Sequence, residues 1–224
     1  MRRSGIALAA LLLAVCGGDA PSDAAASDLV HLGVPATLAE LTGPWRPEPL
    51  MLDPNMAAAV DRACRTDPEF PAGVQLVVID ARGSSKLFAA YAGPGGAEAE
   101  CGYIDVAPTG EISGSLSGTS IGDRPALAAG RMAIDGGGGG SDDRGVVYQY
   151  VIGRAGAGIR RVILDVAGIG PVTATLRDGW FVAWWPVGEP IKPAGAPGPH
   201  VPQKAYTVTG YDALGQPLDQ IQSP

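Results

Sequence analysis

The apolar positions of the chain fall into four unlike stretches. The first is an unbroken run from Ile6 to Val15 behind Met1-Arg2-Arg3. Spanning a bilayer takes about 20 residues, so this run is too short for a transmembrane helix and has the form of a secretory signal. The second has Met56, Ala59, Val60 and Ala63 at helical spacing behind Asp53-Pro54. Asp is a favoured N-cap and Pro a favoured first residue. The pattern predicts a helix ending near Arg65, before Pro68, with Cys64 in its last turn. The third stretch holds short runs at 74–79, 86–91 and 100–106. Asp80-Ala81-Arg82-Gly83 and Pro94-Gly95-Gly96 separate them, and Thr109-Gly110 turns the chain again before Ile112. This predicts an antiparallel meander whose first strand, nearly all apolar, is covered on both faces. In the fourth, strands are expected at 146–153, 159–166, 171–177, 180–185 and 205–211, with a Pro/Gly-rich surface loop over 186–204.

The expected fold is therefore mainly β. An α+β meander with one helix precedes an antiparallel, immunoglobulin-like sandwich. The expected organisation is a signal peptide at 1–15, a flexible tether at 16–45, the meander at 46–125, a Gly-rich linker at 126–143 and the β subdomain at 144–224. The linker contains five consecutive glycines, 136–140, followed by Ser141-Asp142-Asp143. No Lys-Ser/Thr follows them, so they do not form a phosphate loop. Asp135, Asp142 and Asp143 lack the alternating spacing of a calcium loop.

Composition sharpens this outline. The 224 residues include 33 Gly and 20 Pro, roughly twice the usual share, which limits helix content. Hydrophobic residues make 46 %, too many for a chain disordered throughout. The net charge of −7 excludes the basic stripe that nucleic-acid binding requires. All basic residues but Lys86, Lys192 and Lys204 are Arg, the coding bias of a GC-rich genome.

Leu13-Ala14-Val15-Cys16-Gly17-Gly18 resembles the lipobox of bacterial lipoproteins. The resemblance implies lipidation of Cys16 at a new N-terminus, with the small, polar segment after it as a tether. Val15 stands where that family usually has Gly, Ala or Ser. The alternative is an ordinary signal peptide cut within 18–26 and a secreted product. The chain has three cysteines. Lipidation of Cys16 leaves Cys64 and Cys101 as an even pair, expected as one disulfide in an oxidising compartment. No CxxC and no nearby His points instead to a metal or reactive thiol.

Asp178-Gly179 between β-prone flanks fits a two-residue type I′ hairpin. That register sets Arg177 opposite Trp180, Thr175 opposite Val182 and Thr173 opposite Trp184. On the other face, Leu176 meets Phe181, Ala174 meets Ala183 and Val172 meets Trp185. If the first face is open, Trp180 and Trp184 form an aromatic strip with Arg177 beside it, a candidate platform for a glycan, peptide or protein. If it is covered by the meander or the 186–204 loop, both rings belong to the core. The run DGWFVAWWP (178–186), with the strands before it and Tyr206-Thr207-Val208-Thr209-Gly210-Tyr211-Asp212 after it, resembles a group of uncharacterised extracytoplasmic proteins of GC-rich Gram-positive bacteria. Their shared pattern is a C-terminal DGWFxAWWP hairpin. The resemblance implies an exported β-rich fold and carries over no catalytic residue.

No catalytic set emerges from the residues. His31 and His200 stand apart from any Ser/Asp or Cys/Asn arrangement, and there is neither a G-x-S-x-G elbow nor an HExxH. Gly114-Ser115-Leu116-Ser117-Gly118 lacks the strand–turn–helix context of a nucleophile. Glu98, Glu100, Asp105 and Glu111 read as a solvated face of the meander. The expected function is a non-catalytic, membrane-tethered extracytoplasmic module that binds a protein or ligand partner, without cofactor, metal or nucleic acid. The alternatives are a cell-wall glycan binder using the Trp strip and an uncharacterised hydrolase.

Overall fold

In a computed structural model, residues 34–121, 124–141, 147–188 and 203–223 are described. Two helices come first, α1 (Leu38–Thr42) and α2 (Pro54–Cys64). The strands are β1 (Gln75–Ala81), β2 (Lys86–Ala92), β3 (Ala97–Val106), β4 (Ile112–Ser113), β5 (Gly118–Ile121), β6 (Met132–Ser141) and β7 (Val147–Ala155). They continue as β8 (Arg161–Val166), β9 (Gly170–Thr173), β10 (Thr175–Arg177), β11 (Trp180–Gly188), β12 (Tyr206–Tyr211) and β13 (Pro217–Gln222).

The α2 helix forms as its sequence dictates. The Asp53 carboxylate accepts from the Asn55 and Met56 amides, and Pro54 stands at the first position. Val60 and Cys64 turn inward, and a disulfide joins Cys64 to Cys101 on β3. The short α1 carries a capping box, in which Thr37 and Glu40 satisfy each other's backbone amides.

Three antiparallel sheets stack behind α2. The first has the order β1-β2-β3-β4, with β5 also paired to β3. The middle sheet is β10-β11-β7-β6 and the third β13-β12-β8-β9. Leu87, Ala89 and Tyr91 of β2 pack beneath α2 with Val60, Cys64 and Cys101. Phe88 and Ala90, the alternate residues, pack against Tyr148, Tyr150, Ile152, Val182 and Trp184 of the middle sheet. Phe181, Ala183, Trp185 and Val187, on the opposite face of β11, pack against Val162, Leu164, Val166 and Val208 of the third sheet. The period-2 alternation of side chains thus serves two cores at once, which is why β2 and β11 read as continuous apolar runs.

The fold is mainly β, as expected, and four sequence expectations need correction. The meander and the later strands are not separate subdomains: residues Pro35–Pro224 make one unit, with the middle sheet shared between two cores. The expected tether is already structured at its end, where α1 lies and Trp45 packs against both cores. The five glycines are not a linker but the body of β6, paired throughout to β7. Glycine is a poor strand former, and here the space explains its presence. A Cβ at Gly136 would overlap the Glu100 carboxylate, and one at Gly138 would press on the Tyr150 ring at 3.2 Å. Finally, Asp80 and Ala81 belong to β1, and the chain reverses instead at Gly83, Ser84 and Ser85, all with positive φ.

Candidate functional site

The hairpin forms around Asp178 and Gly179, whose φ values of 49° and 76° are those of the expected type I′ turn. Arg177 pairs with Trp180, Leu176 with Phe181 and Thr175 with Val182. The register predicted beyond that point is not formed. At Ala174 the strand leaves the middle sheet. Thr173 pairs with Ile163 and Val172 with Leu164 in the third sheet, and the Ala174 amide donates to Val162 O. Trp184 and Trp185 pair instead with Tyr150 and Gln149 of β7.

This divides the proposed aromatic strip. Trp184 is completely buried, tilted against Phe88 at 5.6 Å and edge-on to Trp45 at 6.4 Å. The first sheet covers the face that an open platform would need, so Trp184 offers no surface to a ligand. Trp180 is partly buried at the margin of the same face, and Arg177 is exposed at the hairpin tip, where it lies 3.4 Å from Asp178. Among the described residues, the cation–π contacts involve Arg65 and Arg161, not Arg177.

Trp180 stands opposite Arg154 of β7, and Arg154 opens a polar cluster that the sequence reading missed. A bulge in β6 sets Asp135 between Ile134 and Gly136, outside the regular register. Its carboxylate accepts from Arg154 Nε at 2.7 Å and from Arg124 at 2.6 Å. Arg124 also reaches Glu98 of β3 at 2.7 Å, so it ties the first sheet to the middle one. Glu100, two residues along the same face of β3, accepts from the Tyr150 hydroxyl at 2.9 Å. The hydrogen bonds that Arg154 donates to Asp135 hold it firmly charged, whereas burial raises the Glu100 carboxyl above its ordinary value, against the opposing pull of the Tyr150 bond. Glu98 and Glu100 are therefore not a solvated face. The strand begins at Ala97 rather than at residue 100, and its alternation Ala97-Glu98-Ala99-Glu100 marks two faces without identifying the layer that covers one of them. Asp105 likewise pairs with buried Lys86 at 2.7 Å, while Glu111 is exposed.

A second polar group lies wholly inside. Asp80 and Arg82 form an ion pair at 2.6 Å with both side chains fully buried. Thr175 donates to Asp80 at 2.6 Å, and Arg82 donates to the carbonyls of Pro47 and Thr173. Burial pushes the Asp80 carboxyl up, with Arg82 opposing. The pair thus binds the 44–50 segment, β1 and the strand that changes sheets.

The other sequence candidates separate. Gly114 covers the disulfide, 3.5 Å from each Sγ at the position of a Cβ, so the 114–118 segment is a lid on a staple and shows no nucleophile's turn. Cys16, His31, His200, Asp142 and Asp143 lie outside the described residues. Among the described residues no three His, Cys, Asp or Glu side chains gather as a metal site, and no helix is long and apolar enough to cross a membrane. Among the described residues, one open depression lies between α2 and Gly110-Ile112 and another beside Asp165, Tyr206 and Gln222. Neither contains the polar cluster.

No family model matches the chain, and neither a curated protein nor a solved structure matches it.

Proposed function

We propose that the chain is a non-catalytic extracytoplasmic module, held at the membrane through a lipid on Cys16, that binds a protein partner. The observation that carries this reading is how the acidic groups are spent. Asp80, Glu98 and Asp135 are each engaged by an arginine inside the fold, and Glu100 by a tyrosine. A general acid or base must reach a substrate proton, and these groups are committed to one another. The Cys64–Cys101 disulfide is compatible with an oxidising, extracytoplasmic address. The lipobox-like end and the DGWFxAWWP resemblance support the same address.

The rim formed by Trp180 and Arg177 is the surface we assign to the partner, because Trp and Arg are the residue types that most often anchor protein interfaces. A glycan platform is the weaker reading, since burial of Trp184 leaves Trp180 without its aromatic neighbour. Two measurements test the proposal. Membrane fractionation should find Cys16→Ser released into the soluble extracytoplasmic fraction; continued membrane attachment refutes the anchor. Site-specific photocrosslinking from position 177 should give a discrete protein adduct that Trp180→Ala removes. An adduct with peptidoglycan instead would favour the glycan reading.

A further inference from the structure

We propose that Glu98, Glu100, Arg124, Asp135, Arg154 and Tyr150 form an acid-tightened clasp that holds the glycine strand β6 and the middle sheet against the first sheet. The geometry is specific. β3 contributes Glu98 and Glu100, the segment before β6 contributes Arg124, β6 contributes Asp135, and β7 contributes Tyr150 and Arg154. Among the described residues, these are the charged and titratable groups that ion pairs and hydrogen bonds bring together around Glu100. Arg124 is the bridge, with Glu98 on one side and Asp135 on the other. Arg154 supports Asp135 from the adjacent strand.

Among the described residues of the cluster the charges do not balance: three carboxylates face two guanidinium groups. Glu98 and Asp135 have arginine partners within ion-pair distance, and Glu100 has the neutral phenol of Tyr150. Glu100 also rests directly on Gly136, where a Cβ would overlap its carboxylate. An ionised Glu100 therefore places an excess negative charge in a partly dry seam beside Glu98. A proton on Glu100 makes the cluster neutral. The remaining acid hydrogen still has Tyr150 oxygen within reach.

The sign follows from burial. The folded chain binds the Glu100 proton more tightly than an unfolded chain, whose carboxyl titrates near 4.5. The penalty for an ionised Glu100 is complete above the folded pKa. It is relieved as pH falls through that value, and relief is complete near the unfolded one. Mild acid thus closes the seam, and neutral or alkaline solution loosens it. Removing the phenol raises the titration further, because the Tyr150 bond favours the ionised form.

The test uses the full-length chain. Hydrogen exchange, corrected for the intrinsic pH dependence of amide exchange, is followed over β6 (Met132–Ser141) between about pH 8 and about pH 5. Carboxyl NMR follows Glu100 in the folded chain and in the chain unfolded by denaturant. We expect Glu100 to titrate higher in the folded chain and β6 protection to rise about tenfold per unit of pKa difference on acidification. In Glu100→Gln the protection should be high at every pH. Equal titration of Glu100 in the folded and unfolded chain, or the wild-type pH profile persisting in Glu100→Gln, overturns the clasp. Tyr150→Phe keeps the ring in the core and gives an independent reading. Its β6 transition should move to higher pH, and an unmoved transition also overturns the proposal.

Discussion

The two faces of the middle sheet are built from different materials. Towards the third sheet it presents Val147, Val151, Phe181, Ala183 and Trp185 to a layer of Val162, Leu164, Val166 and Val208. Towards the first sheet it presents Tyr148, Tyr150 and Trp184 to Phe88, with rings at 5.0–5.6 Å, and it ends in the arginine–carboxylate cluster. The face towards the third sheet is held mainly by apolar area, with the edge-on contact of Trp185 and Tyr206 at 5.2 Å and the Met132 amide donating to Asp219 at its margin. The aromatic face has directional partners: Trp45 Nε1 donates to Trp184 O, Tyr150 donates to Glu100, and Thr175 donates to Asp80. One face supplies cohesion, and the other fixes how the first sheet is seated.

The strongest way to break this contrast is truncation in each core. Trp184→Ala should cost about 3–5 kcal/mol and Leu164→Ala about 2–5 kcal/mol, measured by denaturant unfolding. The location of the damage matters more than the totals. Hydrogen exchange should show β1 and β2 deprotected in the Trp184 variant, with β12 retained. If both variants deprotect the same strands, the faces do not differ as described. Next comes Arg82→Ala, which leaves Asp80 as an uncompensated buried charge and should cost about 3–5 kcal/mol. It should also free the 44–50 segment to proteolysis; a resistant segment would show that Trp45 alone holds it.

A smaller loss is expected for the staple. The paired change Cys64→Ala with Cys101→Ala should lower stability by about 3–4 kcal/mol for a sequence separation of 37 residues. Its exchange phenotype should centre on α2 and leave both faces of the middle sheet protected. Gly136→Ala should have the smallest effect, about 1–3 kcal/mol, because a methyl group there meets the Glu100 carboxylate. Adding Glu100→Ala should restore most of that loss. Simple additivity of the two changes would place the strain elsewhere.

The sequence made some of this legible for local reasons. Asp53-Pro54 specified α2, and Asp178-Gly179 specified three pairs of the hairpin, because each signal acts within a few residues. The departure at Ala174 was hidden because the competing partner of Thr173 is Ile163, a strand away in sequence. The glycine strand was hidden for a different reason: five residues without side chains show no period, and β7 supplies the pairing. Glu98 and Glu100 looked solvated because alternation reveals which residues share a face, and nothing local reveals what lies above it. Of the candidate rim, Trp180 and Arg177 were foreseen. Arg124 and Arg154 of the polar cluster were not, since Glu98 reaches Arg124 only through the packing of two sheets and Asp135 reaches Arg154 only through the pairing of β6 with β7.

The shared middle sheet also sets an order on the molecule's making. All five strands of the first sheet are complete by Ile121, yet Val78, Phe88 and Ala90 on their inner face have no cover until β7 and β11 exist. The Asp80–Arg82 pair likewise waits for the Thr173 carbonyl and the Thr175 hydroxyl, just ahead of β11. A chain emerging from its N-terminus therefore carries an unfinished first half past residue 180. Closure by such distant segments is slow and exposes apolar surface to wrong partners meanwhile. Truncated products ending before β11 should accumulate as aggregates rather than as a folded N-terminal fragment, and the last third of the chain acts as the chaperone of the first.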